Sequence, residues 1–229
     1  MAATEPAPTD TAAGSVAADA ALLRLSQWLS PAFPVGGYAH SQGLDWAIAA
    51  GTVQSAASLA EWLSDVLAHG AGRSDAILLC LALRDAVPLA ELTDLARALA
   101  PGRERLDETE AQGAAFAAAV AALDGDGAAG ALPYPLAVGR AARGLTLAPA
   151  RVAALWLQSA TCTLVQVAVR LVPLGQSEGQ RVLAELQPLI LRVAAEAAAA
   201  GPDDIGSASF GADLAGLLHE TQEVRLCRS

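Results

Sequence analysis

Chemistry in this chain would have to come from very few side chains. Histidine occurs three times, at His40, His69 and His219, and cysteine three times, at Cys80, Cys162 and Cys227, while all 14 basic residues are arginine. Without lysine there is no P-loop cation, no Schiff-base nucleophile and no lysine general base. His219-Glu220 invites comparison with the HExxH zinc motif, but the position four residues on is Glu223, so the second ligand is missing. No histidine pair sits at i,i+4 or beside a suitably spaced Cys or Asp. A metal site would have to be composed across the fold, and ordinary hydrogen-bonded histidines account for the pattern more simply.

Nucleophilic chemistry is equally poorly provided for. There is no GxSxG elbow, and Cys162 lies in an apolar run where a thiolate is disfavoured. Gly36-Gly37 is too short for a phosphate cradle and has no strand before it. Glu104, Asp107, Glu108 and Glu110 offer paired carboxylates for acid–base work; a solvated face at a helix start, favoured by the helix dipole, explains them with less.

The elements that would position such groups are helices. The chain has 229 residues, is 54% apolar and only 4% aromatic, and is rich in alanine throughout. That composition suits closely packed helices better than strands, which draw on β-branched and aromatic residues. The formal charge of −10 argues against nucleic acid or an anionic membrane surface as partner. Three cysteines without a CxxC pair, and no basic-then-apolar leader, read as a cytoplasmic chain without disulfides. The uncharged run between Arg151 and Arg170 falls short of a bilayer span and reads as a core helix.

In chain order, residues 1–20 read as a disordered tail, poor in apolar periodicity. Helices are expected at about 20–29, 41–50 and 58–69, the third opened by a Ser58–Glu61 capping box. Others follow from about Ser74, from Pro88 to about Ala100, from 103 to 123 and from 136 to 143. An almost wholly apolar helix from Pro149 to about Ala168 belongs at the centre. A second box at Ser177–Gln180 would start a helix that Pro188 should kink or split. Phe210, Leu214, Leu217 and Leu218 form a last apolar stripe, and a helix continued into the tail would carry contact-forming residues on both faces. This is an all-α fold: a single bundle of about ten helices over residues 21–229, without a sheet, whose end at about 207–229 is either frayed or docked against something.

One stretch resists helix formation. Ser30 to Trp46, SPAFPVGGYAHSQGLDW, combines Pro31 and Pro34 with the Gly36-Gly37 pair. Locally it reads as a helix–helix turn over a buried Tyr38, with Trp46 either packed beneath it or offered to a partner.

The run SPAFPVGGYAHSQGLDWAI, YPLAVG at Tyr134–Gly139, PLGQSEGQR at Pro173–Arg181 and the terminal HETQEVRLCRS occur in this order in one chain. Together they closely resemble the urease accessory protein UreF family over about residues 21–229. The resemblance implies a homodimer without catalytic activity or a cofactor of its own, a scaffold bridging UreD (also called UreH) and the GTPase UreG so that nickel reaches apo-urease. It also implies that Gly36, Gly37, Tyr38, His40, Ser41 and Gln42 in the loop, with His219, Glu220, Thr221, Gln222, Arg225, Arg228 and Ser229 in the tail, are partner-binding residues. An activator of UreG supplying Arg225 or another arginine in trans, and a direct nickel carrier, are the alternative readings. Glu223 and Val224 stand where the family usually has Tyr-Ser, Cys227 where it has Phe, Asp45 where it has Glu, and Glu110 where Arg is common. The missing tail aromatics imply weaker interface anchors.

Overall fold

The computed structural model describes residues 10–125 and 130–229. Among these residues ten α-helices follow one another: α1 (Asp10–Trp28), α2 (Leu44–Ala49), α3 (Ala56–His69), α4 (Ala71–Arg84), α5 (Leu89–Ala98), α6 (Arg103–Asp124), α7 (Tyr134–Ala142), α8 (Pro149–Leu171), α9 (Gln176–Ala199) and α10 (Phe210–His219). Single 3-10 turns occur at Gly37–Ala39, Arg143–Leu145 and Pro202–Asp204, and there is no strand among the described residues. The fold is all-α, as the composition and periodicity imply.

Helices α8 and α9, joined by a tight connection at 172–175, form the central pair, with α3 and α4 packed against them. Helix α8 is long and apolar enough to cross a membrane by length and composition alone. Here it lies inside the bundle, burying Val152, Trp156, Leu157, Leu164, Val165 and Val167. Helix α7 crosses α4 at Gly139, where a Cβ would come within 2.3 Å of the Leu79 carbonyl oxygen. Only a residue without a side chain permits that approach. Five of the nine aromatic residues form a continuous chain through the core, from Phe33 and Trp28 to Phe116, Tyr134 and Trp156, with ring centroids 4.6–5.8 Å apart. Edge and tilted contacts of this kind add to burial itself.

Several local expectations need correction. Helix α1 starts at Asp10, inside the segment expected to be a disordered tail, because an alanine-rich stretch has high helix propensity even without an apolar stripe; residues 1–9 lie outside the described residues. The box that opens α3 is Ser55 with Ser58, not Ser58 with Glu61: the Ser55 hydroxyl accepts from the Ser58 N–H at 3.2 Å and the Ser58 hydroxyl accepts from the Ser55 N–H at 3.1 Å. At α9 the cap is Gly175, whose N–H donates to Glu178 Oε2 at 3.0 Å, so Ser177 lies inside the first turn. Helix α9 continues through Pro188 without a break. Helix α2 begins at Leu44, since Gln42 (φ 54°) and Gly43 (φ 81°) are both left-handed and incompatible with a helix starting at Ser41.

Candidate functional site

The loop from Ser30 to Gly43 is stapled at several points. The Arg170 guanidinium on α8 donates to the Tyr38 carbonyl oxygen at 2.9 Å, and the Ser159 hydroxyl donates to that of Leu29 at 2.6 Å. Left-handed Gly36 (φ 73°) and Gly43 bracket the segment. The Tyr38 side chain is not buried, as the local reading had it, but 72% exposed; Trp46 is half-buried. The loop therefore covers its interior with backbone and presents its aromatic ring to solvent.

Helix α10 reaches this loop because the segment before it is pinned to the α3–α4 junction. The Ala208 N–H donates to the His69 carbonyl at 2.7 Å, the Ser74 hydroxyl to that of Gly206 at 2.8 Å, and the buried Ser209 hydroxyl to Asp65. The apolar stripe of α10 then faces outward, opposite to the usual sense of such a stripe. Phe210 is 78% exposed and Leu214 and Leu217 are also exposed, while Ala215 and His219 are buried. The reason is steric: Gly216 lies so close to Gly43 that only the small-residue side of α10 fits against the loop.

Beyond His219 the chain does not continue as helix. It turns back and pairs with the loop, bringing residues from opposite ends of the sequence together. The Arg228 N–H donates to the Ala39 carbonyl at 2.7 Å, and the Ser41 N–H donates to that of Ser229 at 2.7 Å, reinforced by the Ser41 hydroxyl. The N–H groups of Leu226 and Cys227 both donate to Asp45 Oδ2, each at 2.8 Å.

Buried polar groups complete the join. His219 is fully buried, with Nδ1 2.6 Å from Glu104 Oε2 and Nε2 3.5 Å from Asp45 Oδ2. Glu104 Oε1 accepts from Arg225 at 2.6 Å; the same guanidinium donates to the carbonyls of Gln222 at 3.1 Å and Glu220 at 2.7 Å. All three nitrogens of Arg225 thus fold the tail onto itself and onto α6. Glu220 joins in by accepting from the Glu104 N–H at 3.3 Å.

Glu108 is the second centre. It is 2% exposed, so the solvated carboxylate face expected at the start of α6 does not include it, whereas Asp107 is exposed as expected. Its two oxygens accept from the Ser229 hydroxyl at 2.8 Å and from the amides of Gln42 at 3.0 Å and Gln112 at 3.3 Å, with Arg105 Nη1 at 3.3 Å. A buried carboxylate persists only with such partners. Arg105 also pairs with Asp75. Burial raises the Asp75 carboxyl above its ordinary value, and the guanidinium opposes that rise. His40 Nδ1 lies 3.1 Å from the Ser229 hydroxyl oxygen, and burial holds the imidazole below its usual value against the pull of Glu108. His40, Gln42, Asp75, Arg105, Glu108 and Gln112 line a cavity of about 340 Å³ together with Tyr134, Trp156 and Leu157.

Of the residues singled out by sequence, His40, Ser41, Gln42, His219, Glu220, Gln222, Arg225, Arg228 and Ser229 converge at this seam, with Gly36 and Gly37 at the turn beside it. Tyr38 and Thr221 point to solvent. Asp45, Glu104, Arg105 and Glu108 are the members that sequence reading did not assign to the seam: the loop and tail partners of the three carboxylates lie 66 to 182 residues away, and Arg105 pairs with Asp75 30 residues away. Burial pushes up the thiols of Cys80, to about 11, and of Cys162, which leaves neither a ready nucleophile. Among the described residues no group of three or more His, Cys, Asp and Glu side chains is arranged to hold a metal ion.

A family model described as UreF matches residues 53–187. The chain is 59% identical over 210 residues to a urease accessory protein UreF of Cereibacter sphaeroides, covering 92% of this chain and 99% of that one. It is 52% identical over 215 residues to the protein of the same description from Paracoccus denitrificans, covering 94% and 99%. With that of Rhodopseudomonas palustris the identity is 45% over 243 residues, covering 99% of each chain.

Proposed function

The chain belongs to the UreF family of urease accessory proteins, and from that membership we propose that it is a non-enzymatic scaffold bridging UreD (UreH) and the GTPase UreG. In this role it regulates GTP-dependent nickel delivery to apo-urease in the cytoplasm, and works as a homodimer. Nickel is cargo of the assembled complex, handled without a cofactor on this chain.

One observation carries the reading: loop, α10 and tail are joined into a single element that leaves several large apolar side chains exposed. Tyr38, Phe210, Leu214, Leu217, Val224 and Leu226 are all exposed, an arrangement that marks a protein-docking surface more often than an idle one. The buried side of the same element spends most of its polar groups on internal partners, among them Asp45, Glu104, Glu108 and Ser229, so binding would fall to the outer side.

Co-purification tests this. The intact chain, mixed with UreD and UreG under reducing conditions, is expected to join UreD and to bring in UreG. Failure to join either partner overturns the proposal. Tyr38→Ala is expected to leave the fold intact and lose assembly; normal assembly would return the loop to a connector.

A further inference from the structure

Helix α6 is 22 residues long, yet what it buries is mostly polar or small: Glu108, Thr109, Gln112 and Gly113, with Phe116 as the one large apolar side chain. The 14-residue α4, by contrast, buries Ile77, Leu78, Leu79, Cys80 and Leu81. Most helical stability in a protein comes from packing an apolar face, so α6 is held by other means. Arg105 pairs with Asp75 of α4, Glu110 with Arg97 of α5 at 2.7 Å, and Asp124 with Arg24 of α1. Glu104 adds links of the same kind to His219 and Arg225. At the start of α7, the Tyr134 N–H donates to the Thr109 hydroxyl oxygen at 3.1 Å. Exposed ion pairs contribute little, and buried ones recover little beyond the hydration they give up.

Phe116 is therefore the anchor. Its ring sits among those of Trp28, Phe33 and Tyr134, with centroids 5.6–5.8 Å away. Before and after it along the helix the packing is open. Arg105, Glu108 and Gln112, which precede it, line the cavity of about 340 Å³. Ala117, Val120 and Ala121, which follow it, line a groove of about 150 Å³ shared with Ala137 and Ala141 of α7. Side chains at a void lose the dispersion contacts that would hold a helix down. The centre of the bundle is different: α8 and α9 pack along each other and against α3 and α4, burying apolar residues along their whole length.

We propose that α6 is a strap, fastened by one aromatic plug and a row of polar links, that lifts from the bundle as a unit while α3, α4, α8 and α9 stay packed. Elements with few buried apolar contacts open at less than the cost of global unfolding. Lifting draws Phe116 out of its socket of rings and withdraws Arg105, Glu108 and Gln112 from the lining of the larger cavity. The inference rests on the packing of α6 alone and is independent of the docking role proposed above.

Native-state hydrogen exchange on the full chain, followed by NMR at guanidinium concentrations below the unfolding transition, separates the two kinds of opening. In the native chain, amides of Gln112–Val120 are expected to exchange at least roughly tenfold faster than those of Leu78–Leu81 and Val165–Ala168, and with a shallower dependence on denaturant. Val193→Ala, in the core of α9, is expected to speed the α4 and α8 amides about tenfold to a hundredfold. It should leave α6 unchanged, because its site stays packed when α6 lifts. Phe116→Leu is expected to speed both sets by a similar factor, because the plug is withdrawn in either opening. One shared opening constant and denaturant slope for α6 and α8 in the native chain, or equal acceleration of both in Val193→Ala, overturns the strap, since α6 would then unfold only with the whole bundle. Unchanged α6 exchange in Phe116→Leu overturns the anchoring role of that ring. The native chain and Val193→Ala decide the matter even where Phe116→Leu fails to fold.

Discussion

The closest backbone approach at the join is the sharpest place to test it. A Cβ on Gly43 would lie 2.6 Å from the Gly216 nitrogen, 2.9 Å from the Ala215 carbonyl carbon and 3.0 Å from the Gly216 Cα. The first of these is about 0.8 Å inside the 3.4 Å at which ordinary contact begins, and every atom it meets is backbone, so no side chain can swing aside. In Gly43→Ala, α10 must shift away from the loop by nearly that amount. The left-handed backbone at Gly43 adds about 1–2 kcal/mol for any residue with a side chain, and overpacking of this kind costs about 1–3 kcal/mol.

Gly36→Ala separates the two effects. Gly36 has nearly the same left-handed conformation, φ 73°, with nothing within 4 Å of its Cβ position. It should show the conformational penalty alone. For a chain of this size each kcal/mol lowers the melting temperature by roughly 2–4 °C. The Gly36 variant is therefore expected to melt about 2–8 °C lower and the Gly43 variant about 4–20 °C lower, with Gly43→Ala always the more affected of the pair. Hydrogen exchange should also rise across Ala215–His219 in Gly43→Ala only. Equal melting shifts, or exchange unchanged in α10, would refute the close approach of α10 to the loop.

Three further outcomes follow from the same geometry. Arg225→Lys should behave like Arg225→Ala in tail protection measured by hydrogen exchange, because a lysine can meet Glu104 but cannot also reach the carbonyls of Gln222 and Glu220 as the planar guanidinium does. Leu214→Asp, at an exposed position of α10, should change stability by less than about 0.5 kcal/mol in denaturant titration while reducing capture of UreD. The third concerns acid. Burial lowers the His40 pKa in the folded chain, so the unfolded chain binds the proton first; stability should fall as the pH drops below the ordinary histidine value of 6.5 and level off below the lowered folded value. Thermal melting of His40→Gln against the native chain should show a shallower loss between neutral pH and that lower limit, and identical pH profiles would count against a buried neutral imidazole.

How far the sequence carried this structure depends on the range of the interaction. Helices α6 and α8 start where the sequence puts them and end within three residues of the expected positions, because Pro and Gly punctuation and apolar stripes act within a turn or two. The start of α2 was misplaced because nothing local distinguishes Ser41 in a helix from Ser41 in a turn followed by two left-handed residues. Glu108 is the clearest failure of local reasoning. At the start of α6 the dipole argument gives a carboxylate good reason to be solvated, and only the arrival of Gln42 from one direction and Ser229 from the other turns it into a buried centre. The same holds for α10, whose leucine spacing is that of a buried stripe. The stripe faces outward because Gly216 and Gly43 claim the other side.

That inversion links the two stretches that sequence marked separately. The glycines at 36, 37 and 43 lose more chain entropy on ordering than a simple helix–helix turn requires. At Gly43 the missing side chain admits the α10 backbone, and with α10 so close, His219 enters the bundle between Asp45 and Glu104. From there the tail amides reach Asp45, and Ser229 reaches Ser41, His40 and Glu108. Each step depends on the preceding one, so a single atom added at Gly43 should be felt at the far end of the tail, whereas the same atom at Gly36 should not. The loop's composition is thus explained by the backbone it must admit on one side, and its exposed Tyr38 by the partner surface proposed on the other.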